Sequence, residues 1–289
     1  MARSFNGSSQ YASLNGGVFA MTGLPCTTAF WMYPNSTSGN QWPVYSQNMA
    51  ATQINSSVIL NYPSSGKVTG QTTDTVATSL PTATANFSAS SWYHVAHSCG
   101  TGSTTIYLNG GNSAAQSASP TVTCDRCIRG ASNLTSPGSY FNGRLAEVGF
   151  WTVALTADEV LTLSKGMSPL FVRPQSLVHY WPLRGSYSPE IEVMRAGGLT
   201  LTASPAFADH PAIFHPRPQA AHGLTPEMSD LQELKGASSF QEETRRKIFL
   251  PLASMPVAGL GWLIDRRNRV PVEEAKAKRK KRKTPHDPE

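Results

Sequence analysis

Only 15% of the 289 residues are charged and 39% are hydrophobic, well below the about 25% charge of an average globular domain. Ser, Thr, Asn, Gly and Ala fill the difference, which argues against amphipathic helices with charged outer faces and for short strands joined by polar turns. The net charge of +6 is uneven: up to Ala220 there are 10 Lys and Arg against 8 Asp and Glu, and beyond it 14 against 10, with the excess in KAKRKKRK at Lys276–Lys283, so the chain carries a basic tail and not a basic nucleic-acid face on its main domain.

In chain order, the opening MARSFNGSSQYASL has no apolar run of the kind a secretory signal needs. A disulfide framework is therefore not expected, and Cys26, Cys99, Cys124 and Cys127 are expected to be reduced thiols. Short β segments follow at Thr28–Tyr33, Ser57–Leu60, Trp92–Ala96 and Thr104–Leu108. Turn signals separate them, among them Asn15-Gly16-Gly17, Ser64-Ser65-Gly66 and Asn109-Gly110. Gln71–Ala85 reads as an edge strand or a long loop. Cys124-x-x-Cys127 has half the spacing of a zinc site, but no second close pair completes it. Thr156 with Glu159 forms a capping box that starts a short helix, and Gly166 ends it. His179–Leu183 reads as another strand. From Thr202 onward, Pro205, Pro211, Pro216, Pro218 and Pro226 suggest an extended linker.

The resulting division is 1–218 as a β-sandwich, 219–247 as a linker with helical spacing, 248–264 as an apolar docking or membrane segment, and 265–289 as a basic tail. The apolar segment IFLPLASMPVAGLGWLI has 17 uncharged residues, short of the about 20 of a typical span. Its two prolines tilt the reading toward docking on a partner. The tail has three readings among which the sequence does not choose: a solvated tail, a nucleic-acid contact, or a contact with an anionic membrane surface.

Four segments, in order, resemble the laminin-G-like branch of the concanavalin A-like lectin/glucanase superfamily. They are Ser4–Tyr11, Phe30-Trp31-Met32-Tyr33-Pro34, the pair Trp92-Tyr93-His94-Val95-Ala96 and Tyr107-Leu108-Asn109-Gly110, and Phe141-Asn142-Gly143-Arg144-Leu145-Ala146-Glu147-Val148 leading to Ala154–Val160. The resemblance implies an all-β fold: an antiparallel β-sandwich, or jelly roll, with a short helix and an extended C-terminal region. It assigns Trp31, Trp92, Tyr107, Phe141, Gly143, Glu147 and Trp151 to the structural core, with Phe150 beside them. Gly143 is expected where a side chain would crowd a bend.

Glycosidase relatives need paired carboxylates on one strand. Glu190-Ile191-Glu192 lacks the third carboxylate of that motif, and Glu147 stands alone, so no catalysis is expected. Trp42, Tyr45 and Tyr62 lie near loops and are the candidate sugar-binding rings. Calcium occurs in some relatives, and Asp74 and Asp125 lie in or near loops, but isolated carboxylates do not make a cage of roughly six to eight oxygens; no cofactor is expected, with calcium an open alternative that nothing in the sequence supports. Domains of this type are frequent in phage and other viral structural proteins. The expectation is a virion decoration, fibre or tail subunit, oligomeric or lattice-bound, attached to other virion proteins through 221–289 and facing surface glycans. A glycan- or protein-binding module anchored to a membrane near its C-terminus is the alternative.

Overall fold

Alternation of inward apolar and outward polar residues carries most of the chain into strands. The computed structural model describes residues 2–215 apart from 15–18, 20, 22, 49, 51–54, 118–122, 134, 185–187 and 196–197. The expected segments 219–247, 248–264 and 265–289 lie outside the described residues. The strands are β1 (Ala2–Asn6), β2 (Tyr11–Leu14), β3 (Cys26–Pro34), β4 (Gln41–Gln47), β5 (Asn55–Leu60), β6 (Val68–Thr73), β7 (Thr78–Ser79), β8 (Tyr93–Gly100), β9 (Ser103–Leu108), β10 (Gly111–Gln116), β11 (Arg126–Arg129), β12 (Asn142–Trp151), β13 (Leu177–Trp181), β14 (Thr200–Thr202) and β15 (Ala206–Ala208), with one helix, α1 (Ala157–Ser164).

They form two antiparallel sheets. One runs β10-β9-β8-β3-β12-β1-β15, with β13 also on β12; the other runs β14-β2-β11-β4-β5-β6-β7. Gln71–Ala85 contains the end of β6 and the short edge strand β7. The linker expectation needs correcting near its start: Ala206–Ala208 pairs with β1, so the sandwich continues past Pro205. An edge strand tolerates flanking prolines because its outer N–H groups have no ladder partner to lose.

Phe5, Phe30, Met32, Val58, Leu60, Val95, Ile106, Phe141, Leu145, Val148 and Phe150 are buried together between the sheets. A second cluster lies on the outer face of the eight-stranded sheet. There Ala96, Ala29 and Gly149 stand in register across β8, β3 and β12 and make a flat floor. Trp151, Val160, Leu163, Leu177 and Tyr180 pack on it. A Cβ on Gly149 would lie 2.5 Å from the Trp151 ring, so the floor must be this low. Trp151 Nε1 donates to Val172 O at 2.8 Å, which satisfies its buried donor.

Three of the residues expected in the core are not there. Trp31, Trp92 and Tyr107 are only half-buried. The period of two explains the correction: Phe30 and Met32 point between the sheets, so Trp31 and Tyr33 must point out. Tyr107, in register with Ala96, packs on the outer cluster. Of the others, Phe141 lies in the inter-sheet core and Trp151 in the outer cluster. At Gly143 a Cβ would come within 2.6 Å of Phe141 Cζ and closer still to Tyr33 O. Glu147 is buried but sits at the register break between Ala146 and Gly149, where one edge of β12 passes from β1 to β13. Its φ of 55° turns its side chain toward the outer layer.

The capping box forms as read: Thr156 N donates to Glu159 Oε2 at 2.9 Å and Glu159 N donates to Thr156 Oγ1 at 3.3 Å. Gly166, at φ 90°, follows the helix end. Asn109 and Gly110, at φ 55° and 75°, make the tight β9–β10 turn in the conformation that favours Asn-Gly.

Candidate functional site

The outward residues of β3 and its neighbours build a continuous strip. Tyr33 stands opposite Arg144 on β12, and Trp31 stands between His94 on β8 and Ala146 on β12. The Arg144 guanidinium lies over the Tyr33 ring, 4.4 Å from its centroid. Tyr33 meets Trp92 edge to face at 5.6 Å, and Trp31 meets His94 in the same way at 5.4 Å. Arg144 Nη1 is 3.5 Å from Asp209 Oδ2, and Asn35 Nδ2 donates to Asn142 Oδ1 at 3.1 Å. Trp92, Trp31, Tyr33, Arg144 and Asn142 are each half-buried, and Asn35 and Asp209 are exposed.

The strip thus offers aromatic faces beside a guanidinium, a carboxylate and two amides. His94 lies beneath it as a neutral ring, because burial pushes its pKa down to about 3. Its backbone N–H donates to Asn109 Oδ1 at 2.9 Å. The packing of Trp31 on His94 therefore does not change charge near neutral pH.

The sequence reading pointed elsewhere, to Trp42, Tyr45 and Tyr62. Trp42 is half-buried on β4, at the register break between Gln41 and Val44, and its backbone N–H donates to Ser139 O at 3.2 Å. Tyr45 faces out from the seven-stranded sheet, in register with Ser57 and Ile128; burial raises its hydroxyl pKa. Tyr62 is exposed in the loop after Leu60. Among the described residues no ring contact joins these three to one another, so they do not make one platform. The signal for the alternative strip was present in Phe30–Tyr33, where one apolar parity fixes the other.

The carboxylates are occupied elsewhere. Glu147 accepts from the Tyr180 hydroxyl and has His210 Nε2 3.1 Å from its Oε1, although the angle there is poor for a hydrogen bond. Burial, then Glu147, push the Tyr180 hydroxyl pKa up. Glu190 pairs with Arg3 inside the protein. Glu192 accepts from the backbone N–H groups of Tyr180 and Met194, each at 2.9 Å, and of Arg195. Asp74 Oδ1 accepts from Val76 N at 2.7 Å and Ala77 N at 2.6 Å, which spends that oxygen on its own turn. Among the described residues no group of three or more His, Cys, Asp and Glu is arranged to hold a metal ion. All four cysteines are buried thiols in the inter-sheet core.

Two stacked antiparallel sheets, with a short capped helix on the outer face of one, define a lectin-type jelly-roll sandwich. Residues 6–161, more than half of the chain, match the laminin-G-like family model described as Concanavalin A-like lectin/glucanases superfamily, and the chain belongs to that family. No curated protein matches the chain. Among solved structures it is similar to a native heptameric SAP-like pentraxin from Limulus polyphemus, at 14% identity and a TM-score of 0.48 over 71% of this chain and 94% of that one. It is also similar to a putative carbohydrate binding protein from Bacteroides ovatus, at 16% identity and a TM-score of 0.48 over 70% of this chain and 58% of that one. A third is the CBM40 of a Ruminococcus gnavus IT-sialidase bound to alpha2,3 sialyllactose, at 14% identity and a TM-score of 0.42 over 52% of this chain and all (100%) of that one. At these identities no ligand is carried over from any of them.

Proposed function

We propose that the chain is a non-catalytic glycan-binding module whose platform is the strip Trp92–Tyr33–Arg144 with Trp31, Asp209, Asn142 and Asn35. The observation that carries this reading is the contiguity of half-exposed rings with planar polar groups on one sheet face. A pyranose has an apolar C–H face and a rim of hydroxyls. Aromatic rings cover the former, and guanidinium, carboxylate and amide groups bond the latter without large ordering costs. The reading without catalysis is supported by the commitments of Glu147, Glu190 and Glu192 to Tyr180, Arg3 and backbone N–H groups.

Full-length protein on a glycan array is expected to retain a defined set of glycans. Trp92→Ala and Tyr33→Ala should each weaken the best binder by about tenfold or more in calorimetry, which is about 1.4 kcal/mol. Tyr62→Ala should leave it unchanged, with far-UV circular dichroism alike for all. Binding that survives Trp92→Ala and falls with Tyr45→Ala would move the site to the other sheet; no binding at all would end the reading.

The finer proposal is that the module is displayed on a virion, with 221–289 attaching it to other virion proteins. It is supported by the family resemblance and by an uncharged run at 248–264 beside a basic tail. Mass spectrometry of purified particles should find the chain at stoichiometric level, and deletion of 221–289 should remove it. Extraction from membranes only by detergent, lost on deleting 248–264, would favour the anchored alternative.

A further inference from the structure

Cys26 and Cys99 are 73 positions apart in the sequence and stand directly opposite each other in the antiparallel pair β3–β8. Both side chains point into the inter-sheet core, at 2% and 0% exposure. Directly opposite residues in an antiparallel pair have Cα separations of about 4.5–5.5 Å, inside the about 4.4–6.8 Å that a disulfide spans. We infer that Cys26 and Cys99 form a reversible cross-strand disulfide, a redox lock between the two central strands of the eight-stranded sheet.

The surroundings fit this chemistry. Cys99 Sγ lies 3.4 Å from Thr72 Oγ1 and 3.5 Å from His97 Nε2, and those two groups are 3.3 Å apart. His97 fits there because its partner across the sandwich is Gly70, where a Cβ would come within 2.5 Å of the imidazole ring. The neighbouring Cys26 thiol, with His97 and Thr72 and against burial, draws the Cys99 thiol down from its usual range; the Cys99 thiol, with burial, pushes Cys26 up. Cys99, with Thr72 and His97 on its sulfur, is the attacking thiol, and Cys26 is the one that resolves.

The oxidant is a low-molecular-weight disulfide, RSSR. His97 Nε2 takes the Cys99 proton, and Cys99 Sγ attacks one sulfur of RSSR, expelling RS⁻, which collects that proton as RSH. Cys26 then loses its proton and attacks Cys99 Sγ, expelling the second RS⁻, again protonated to RSH. Two thiols and RSSR become one protein disulfide and two RSH, so the protein thiols are oxidised and RSSR is reduced. Entry does not require global unfolding. Cys26 is the first residue of β3 and Cys99 the last but one of β8, so fraying of this end of the sheet suffices.

Cys124 and Cys127 share the same core and are the competing partners, which sets the test. Full-length protein is incubated with oxidised glutathione, digested without reduction and mapped by mass spectrometry, with metal content measured before treatment. The expected result is a loss of two mass units, a Cys26–Cys99 cross-link, and a rise in the unfolding midpoint on the order of 10 °C that dithiothreitol reverses. Cys124→Ala with Cys127→Ala should leave cross-link and shift intact; Cys99→Ser should abolish both. A cross-link mapping to Cys124–Cys127, stoichiometric zinc that protects the thiols, a falling midpoint, or no mass change in the wild-type chain would each overturn the proposal.

Discussion

His94 and His179 occupy opposite faces of the eight-stranded sheet, and both are shielded from water. His179 is stacked in the core between Trp181, at 5.1 Å and nearly parallel, and Phe19, at 5.2 Å. The Arg129 guanidinium also lies over the Trp181 ring, 5.2 Å from its centroid. Burial lowers the pKa of His94 to about 3; burial, with the charges of Arg195 and Arg129, lowers that of His179 to about 4. In the unfolded chain both would protonate near 6.5. Between those folded values and 6.5 the unfolded state therefore holds more protons, so stability is full above that window and is lost as pH falls through it. Each histidine contributes at most about 1.4 kcal/mol per pH unit there. Urea titrations at pH 7, 6 and 5 should show this slope, and His94→Gln should make it shallower. A pH-independent midpoint between 7 and 5 would show that the buried rings are reached by water.

At the scale of elements, α1 is eight residues long, too short to persist alone. Its capping box and the burial of Val160 and Leu163 over the Ala29–Ala96–Gly149 floor hold it in place. Thr156→Ala removes the side-chain acceptor for Glu159 N and should cost about 1 kcal/mol; Thr156→Ser should cost little. Thermal denaturation of the two variants checks this, and equal midpoints for Ala and Ser would show that packing alone sets the helix start. This element was legible in the sequence because its cap is local, as was the Asn109-Gly110 turn. The strands were legible from alternation. Trp31 reads as core by its size, but its neighbours Phe30 and Met32 own the inward side and the period of two turns it outward; Trp92 lies just before β8, where no alternation sets its face. The place of Glu147 had no local signal, since its bulge arises only where β1 and β13 meet on one edge of β12. The opposition of Cys26 and Cys99 was equally hidden, being set by strand register across a long intervening chain.

For the molecule as a whole, the sandwich is closed by its two ends. β1 pairs with β12 on one side and β15 on the other, and β2 pairs with β14. Arg3 is buried, pairs with Glu190, and donates from Nη1 to Pro205 O at 2.8 Å. Leu199 belongs to the inter-sheet core and joins Glu190 through a backbone bridge. The family match ends at residue 161, yet these contacts make residues up to about 208 part of the folding unit. A chain cut after His215 should therefore unfold in one cooperative step with a midpoint close to that of the full chain. A chain cut after Gly198 should lose Leu199, strip β15 from β1 and β14 from β2, leave the buried Arg3–Glu190 pair open to water, and expose two unpaired sheet edges. Losing one core leucine alone costs about 2–5 kcal/mol, a large share of the about 5–15 kcal/mol that stabilises a typical domain. Calorimetry of the two truncated chains should thus show an ordinary transition for the first and a midpoint lower by ten degrees or more, or aggregation, for the second. Equal midpoints would place the end of the folding unit at the end of the family match and make β14 and β15 mere attachments to it.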